Sequence, residues 1–291
     1  MKMAPNPYPA SASSYENRIR QGNEASAPAV RDLPLAGPGG VVLHGRLWQP
    51  QGGAARAPIV LLHDSLGCVA LWRDFPAQLS AATGREVLAY DRWGFGRSDA
   101  RTGLPGTGFV REEGEQVVPR LLAQCGRERA VLLGHSVGGG MAAFAAAHLG
   151  SACEALVTVS AQCYVEERTL DGIRAAEAAF ADEAELDRLR KYHGDKARWV
   201  LDAWTRTWLS PAFADYSLEP ALARVHCPTL VIHGAEDEYG SPQQAGRIAA
   251  SVRGPAELAV LPGCHHLPHR ERAAEVLERI AAFLARSGSQ A

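Results

Sequence analysis

The chain has no surplus of either charge. Thirty Lys and Arg face thirty-two Asp and Glu across 291 residues, for a net charge of −2, so the basic footprint that nucleic acid demands is missing. No apolar run is long enough to span a bilayer. Residues 1–30 lack the apolar centre of a secretory signal and are rich in Pro, Ser, Ala and Asn, which reads as a flexible tail. The six cysteines, at 68, 125, 153, 163, 227 and 264, never form C-x-x-C. Several sit in or beside apolar runs, which implies buried thiols rather than a disulfide frame. No internal repeat is visible. These absences leave the expectation of a cytoplasmic protein with a small-molecule substrate and neither a nucleic-acid nor a membrane partner. They are silent on oligomeric state.

What is present is a core: 46% of residues are hydrophobic, in short runs that alternate with helical spacing. Val41 to Trp48 reads as a first strand, followed by the turn-rich residues 51–53. Pro58 to His63, Glu86 to Asp91, the run ending at Gly134, Ala155 to Ser160, Thr229 to His233 and Ala256 to Leu261 read as strands buried on both faces. Helical spacing spans Leu71 to Ala82 and Val110 to Cys125, and returns in Val276, Ile280, Phe283 and Leu284. Strands alternating with helices predict an α/β fold with a mostly parallel central sheet of about eight strands. The rhythm breaks over residues 164–214, where helical, charged segments replace strands: Ile173 to Phe180, Glu183 to Tyr192 and Ala197 to Leu209. The expected division is therefore a tail at 1–30, a core made of 31–163 and 215–291, and a helical lid at 164–214. Trp199, Trp204 and Trp208 would give that lid an apolar underside. Trp72, Trp204 and Trp208 are the expected substrate-lining residues.

The stretch most informative about chemistry runs from Val131 to Ala143. An apolar run stops at Gly134, Ser136 follows, and then come glycines and small helix formers. Gly134-His135-Ser136-Val137-Gly138 fits G-x-S-x-G, a strand-turn-helix elbow that exposes the serine hydroxyl at a helix N-terminus. A serine hydroxyl needs a base within hydrogen-bond reach, and the base needs an orienting carboxylate. Candidates follow in the order Ser, Asp, His. Asp237 lies just after the Thr229 to His233 strand, with Glu236 and Glu238 as weaker neighbours. His266 lies in the loop after the last strand, with His265 as the alternative base. Asp237 also suits an ordinary turn or capping role. Three histidines in five residues raise a metal reading, but Pro268 keeps His265 and His269 off one regular helical face, and no H-E-x-x-H is present. No metal and no cofactor are expected. The first oxyanion donor would be the N–H of Val137 and the second the N–H of Ser65, in the turn after His63.

Five pieces resemble the α/β-hydrolase superfamily, in its lid-bearing branch of small serine hydrolases, over roughly residues 41–286. They are the His63 turn, Asp91-Arg92-Trp93-Gly94-Phe95-Gly96-Arg97-Ser98, the elbow, Gly234-Ala235-Glu236-Asp237, and the loop from Gly263 to Glu271. The resemblance implies an α/β-hydrolase fold, a lid inserted after the sixth strand, Ser136 as nucleophile and His266 as the catalytic histidine. It argues against relatives whose nucleophile is a carboxylate. The chain departs from the family at His63-Asp64, where His-Gly is usual, and the extra carboxylate lies near the expected oxyanion. The activity so implied is hydrolysis of a small carboxylic ester or related acyl compound. C–C bond hydrolysis, thioester hydrolysis or a lyase reaction on the same triad are alternatives, as is a non-catalytic ligand-binding role. A substrate carboxylate would need an arginine, for which Arg92, Arg174 and Arg206 are the candidates.

Overall fold

A computed structural model describes residues 27–52 and 56–287. All but the last residues of the expected tail therefore lie outside the described residues. Eight strands form one sheet in the order β1-β2-β4-β3-β5-β6-β7-β8. They are β1 (Ala29–Ala36), β2 (Val42–Gln49), β3 (Ile59–Leu62), β4 (Val87–Tyr90), β5 (Ala130–His135), β6 (Cys153–Val159), β7 (Thr229–Gly234) and β8 (Ala256–Leu261). β2 pairs antiparallel with β1 and with β4, and every later pairing is parallel.

β1 is a correction to the sequence reading, which began the strands at Val41 and ran the tail to residue 30. Its sequence carries no burial pattern because it is an edge strand: Leu35 is its one buried residue. Its place comes from pairing with β2, from Ala29 opposite Gln49 to Ala36 opposite Val42, and from Asp32, which accepts from Arg46 Nε at 2.6 Å. A second correction concerns the helix expected over 71–82. Residues Val69–Trp72 form a single 3₁₀ turn, and α1 (Phe75–Thr83) starts later, with Pro76 in its first turn where a missing N–H does no harm.

The central strands are buried on both faces, and the pleat divides their side chains between two cores. Ile59 and Leu61 of β3 pack with Val131, Leu133 and the C-terminal helix (Ala273–Ser287), whereas Val60 and Leu62 pack with Leu132, Met141 and the helix after the elbow. The expected helix over 110–125 is present as Phe109–Glu112 and Val118–Gln124 joined by a π turn, Glu113–Val117. All six cysteines are free thiols, and all but Cys125 are buried. No helix among the described residues is long and apolar enough to cross a membrane.

Between β6 and β7, residues 164–214 form three α-helices, α2 (Glu167–Ala179), α3 (Glu183–His193) and α4 (Ala197–Trp208). An isolated antiparallel bridge between Tyr164 and Ser217 closes the base of this insertion. Its own small core, with Leu186, Leu189, Val200 and Leu201, packs onto Leu66 and Phe95, which belong to the loops after β3 and β4. The helices therefore sit over the carboxyl ends of the strands. Gly94 makes this approach possible. Its φ is +92°, and a Cβ there would lie 2.3 Å from the Trp199 ring.

Candidate active site

Ser65, Arg92, Ser136, Val137, Asp237 and His266 lie at or just beyond strand carboxyl ends, whereas Arg174 and Arg206 lie on helices of the insertion. β3 ends before His63, β4 before Asp91, β5 at His135, β6 before Gln162, β7 before Asp237 and β8 before His266. Parallel strands place all these ends on one edge of the sheet, where ligands of such sheets gather.

The elbow is strained as its motif predicts. Ser136 has φ 54° and ψ −127°, outside the regions a side chain favours. Two bonds fix it there: its N–H donates to Val159 O at 2.9 Å and its carbonyl accepts from Gly139 N–H at 2.8 Å. The flanking glycines are required by close approach rather than by turn angle. A Cβ on Gly134 would meet Gly138 O at 2.0 Å, and one on Gly138 would meet Leu62 O at 2.1 Å. The helix Val137–Leu149 starts directly after the serine, so the N–H of Val137 is among its unpaired first-turn donors.

Asp237 and His266 are brought together across 29 residues. His266 Nδ1 lies 2.9 Å from each carboxylate oxygen of Asp237. Asp237 is fully buried and also accepts from Tyr239 N–H at 2.8 Å. Burial alone would raise its pKa, but attraction to His266 and the hydrogen bond from it hold the carboxyl below its ordinary value. For His266 burial works downward, and the attraction of Asp237 outweighs it and raises the ring. His265 faces away, with half its side chain exposed and Nδ1 3.1 Å from Glu236 O. His269 is buried against Trp72 and His135 instead, and burial takes it well below its ordinary pKa. The three histidines thus point three ways. Among the described residues no group of three His, Cys, Asp or Glu side chains could hold a metal ion.

A cavity of about 480 Å³, open on one side, is lined by Ser136, His266, Ser65, Asp64, Trp204 and Trp208 among others. Ser136 and His266 share this cavity without a hydrogen bond between them: the hydroxyl is turned toward Gln162 Oε1 at 3.4 Å. Trp204 and Trp208, expected as substrate-lining residues, both line this cavity. Trp72 is a correction. It is 4% exposed and packs on Phe75 and His269, because the 3₁₀ turn directs it into the core that holds Ile59 and Leu61 rather than toward the cavity.

Asp64 spends both oxygens locally. Oδ1 accepts from Leu66 N–H at 2.9 Å, and Oδ2 lies 3.2 Å from His135 Nδ1. Despite burial, the His135 contact holds its carboxyl below the ordinary carboxylate range. The other nitrogen of His135 lies 2.8 Å from His266 O, so both ring nitrogens face oxygen acceptors. The carboxylate beside the expected oxyanion site is thereby matched by a local partner. His135 joins the β3 turn, the elbow and the loop after β8.

Sequence reasoning missed Gln162, His135 and His193. The signal for Gln162 was slight, a polar residue two positions past a buried strand. His193 is 2% exposed. Its Nδ1 accepts from Gly96 N–H at 2.8 Å and its Nε2 lies 2.9 Å from Leu66 O, which ties α3 to two core loops. Burial pulls its pKa down to about 4. On the other side of the insertion, Arg168 donates to Asp237 O at 3.0 Å and Thr169 to Tyr239 O at 2.7 Å.

The sequence profile of the alpha/beta hydrolase family matches residues 59–279. Polyketide synthase ThaQ of Burkholderia thailandensis is 28% identical over 278 residues, covering 84% of this chain but only 13% of that much longer protein. A hydrolase from Pseudomonas aeruginosa PA01 superposes with a TM-score of 0.64 at 27% identity, covering 87% of this chain and 98% of that one. The 2-hydroxy-6-oxo-6-phenylhexa-2,4-dienoate hydrolase of Rhodococcus sp. strain RHA1 superposes with a TM-score of 0.74 over 89% of this chain and 99% of its own. At 18% identity the last is a likeness of fold.

Proposed function

The chain belongs to the alpha/beta hydrolase family, and within it we propose that the protein is a serine hydrolase cleaving a small carboxylic ester or related acyl compound through an acyl-enzyme. The observation that carries this reading is His266 Nδ1 at 2.9 Å from both Asp237 oxygens, in a ring that shares one cavity with Ser136 on its strained elbow. Asp237 keeps the proton on Nδ1, which leaves Nε2 free as the base. On substrate binding the Ser136 hydroxyl turns from Gln162 to Nε2, gives up its proton there and attacks the carbonyl carbon. Negative charge develops on the carbonyl oxygen and is met by the N–H groups of Val137 and Ser65, each worth about 3 kcal/mol. His266 passes the proton to the departing alcohol, and water, activated by the same ring, then releases the acid.

On this reading the helices over 164–214 act as a lid: Trp204 and Trp208 wall the cavity, and Arg168 and His193 fasten the insertion to the catalytic loops. The test is hydrolysis of short p-nitrophenyl esters and thioesters by the parent and by Ser136→Ala, with fluorophosphonate labelling of both. Turnover and labelling confined to the parent are expected. Ester turnover that survives the substitution removes Ser136 from its role, and a serine inert to both probes favours a ligand-binding protein on this fold.

A further inference from the structure

Three arginines stood as candidate partners for a substrate carboxylate, and the structure separates them. Arg174 is exposed and already paired with Glu167 and Asp171, and Arg206 is exposed with Asp202 at 3.8 Å. Arg92 is different. It is 5% exposed, yet among the described residues no carboxylate lies within 4 Å of its guanidinium. One nitrogen, Nη2, donates to Asp64 O at 2.7 Å, the flat face covers the Phe95 ring at 4.1 Å, and Nε has no partner. Burial outweighs the attraction that the more distant Glu113 and Asp64 carboxylates exert on this charge, so a ligand carboxylate would be its first direct ion-pair partner.

Arg92 lines a second cavity, about 840 Å³ including its open side. Ser65, Trp204 and Trp208 border both this cavity and the first, so the two lie side by side at the expected oxyanion donor. It does not include Ser136, Gln162, Tyr239 or His266. Arg101 lines it as well, with its guanidinium 4.7 Å from the Trp93 ring. Two carboxylates are also present. Glu112 sits at the rim. Glu113 accepts from Tyr90 OH at 2.7 Å, and burial raises its pKa against the attraction of Arg92.

We propose that this second cavity receives the far end of the acyl group, and that this end is a carboxylate held by Arg92 and Arg101. The substrates are then half-esters of dicarboxylic acids. The proposal rests on the serine-hydrolase reading above. The leaving alcohol takes its proton from His266 and must depart on that side, whereas the second cavity adjoins Ser65 and excludes His266, which assigns it to the acyl half. The covalent steps balance without a further reactant. The Ser136 Oγ–acyl bond forms as the ester C–O bond breaks, water then cleaves the acyl-enzyme, and the products are the alcohol and a free dicarboxylic acid.

The experiment compares p-nitrophenyl half-esters of dicarboxylic acids with methyl-ended p-nitrophenyl esters of equal length. Ser136→Ala supplies the background, since half-esters also hydrolyse without a catalyst. The expected result is a kcat/KM preference for the carboxylate-ended ester of about 10-fold or more at one chain length, the worth of a charge-assisted hydrogen bond. It should be carried mainly by KM and should fall in both Arg92→Lys and Arg101→Met. Ser136-dependent turnover of methyl-ended esters with no carboxylate preference at any length overturns the proposal and leaves the serine-hydrolase reading intact. A preference that survives in both variants also overturns it. Should no ester be turned over, or Arg92→Lys fail to fold, tryptophan fluorescence of the parent and Arg101→Met is titrated with monomethyl dicarboxylates. Saturable binding weakened in Arg101→Met sustains the site, and its absence overturns it.

Discussion

Replacing Asp237 by Asn tests the catalytic geometry at its narrowest point. The side chain is fully buried, nearly isosteric with Asn, and offers two oxygens to His266 at 2.9 Å and one to Tyr239 N–H at 2.8 Å. An amide can keep its oxygen on Tyr239 N–H, which leaves its NH₂ facing His266. The ring must then accept at Nδ1 and carry its proton on Nε2, so it can no longer take one from Ser136. In an unrelated serine protease the same change of tautomer lowers kcat by about 10⁴, and a loss of about 10³ to 10⁴ here corresponds to about 4–5.5 kcal/mol of barrier. The pH profile carries a second signature. His266 must be neutral to act, and Asp237 raises its pKa above the ordinary 6.5. The parent's kcat/KM should therefore climb with pH on a limb centred above 6.5. In Asp237→Asn the largest offset to burial is gone, with only Glu238 and Asp64 still raising the ring, so any residual limb should move to lower pH. Stopped assays of p-nitrophenyl esters between about pH 5 and 9, with circular dichroism to confirm folding, measure both. A folded variant within tenfold of the parent and with an unmoved limb would refute the triad.

Other substitutions separate packing from chemistry. Trp208 is 3% exposed and rings with Phe213 and Tyr216, so Trp208→Ala should cost about 3–5 kcal/mol in chemical denaturation. Trp204 is only partly buried, and Trp204→Ala should mainly raise KM with a small change in melting temperature. Gly138→Ala drives a methyl to 2.1 Å from Leu62 O. A loss of about 1–3 kcal/mol and of most activity is expected, and a fully stable, active variant would contradict the packing of the elbow helix on β3. His193 titrates at about 4 when folded against 6.5 ordinarily. Since the unfolded chain takes up this proton first, stability should fall as pH drops from about 6.5 to about 4, by about 3 kcal/mol. His193→Gln should flatten that part of a melting-temperature profile, and an unchanged slope would remove His193 as its source.

The sequence by itself determined the sheet's buried strands, the elbow, and the order of Ser136, Asp237 and His266, because each depends on local rules. A strand covered on both faces must be apolar throughout, and G-x-S-x-G between a strand and a helix is itself a local pattern. It could also mark residues 164–214 as different, since a helical insertion interrupts the alternation of strand and helix. Only the tertiary structure decided what depends on distant partners. β1 carries no burial pattern, and its strand character comes from pairing with β2. His265 and His266 are equivalent by spacing, and what separates them is the direction in which the loop after β8 leaves the sheet. Trp72 resembles Trp204 in composition, yet a single 3₁₀ turn directs it into the core. The match of Asp64 with His135, the anchoring of α3 through His193, and the bond from Arg92 to Asp64 O all join segments 28 to 127 residues apart. Charge and hydrogen bonding act through space, so no one-dimensional pattern records which of these groups end as neighbours.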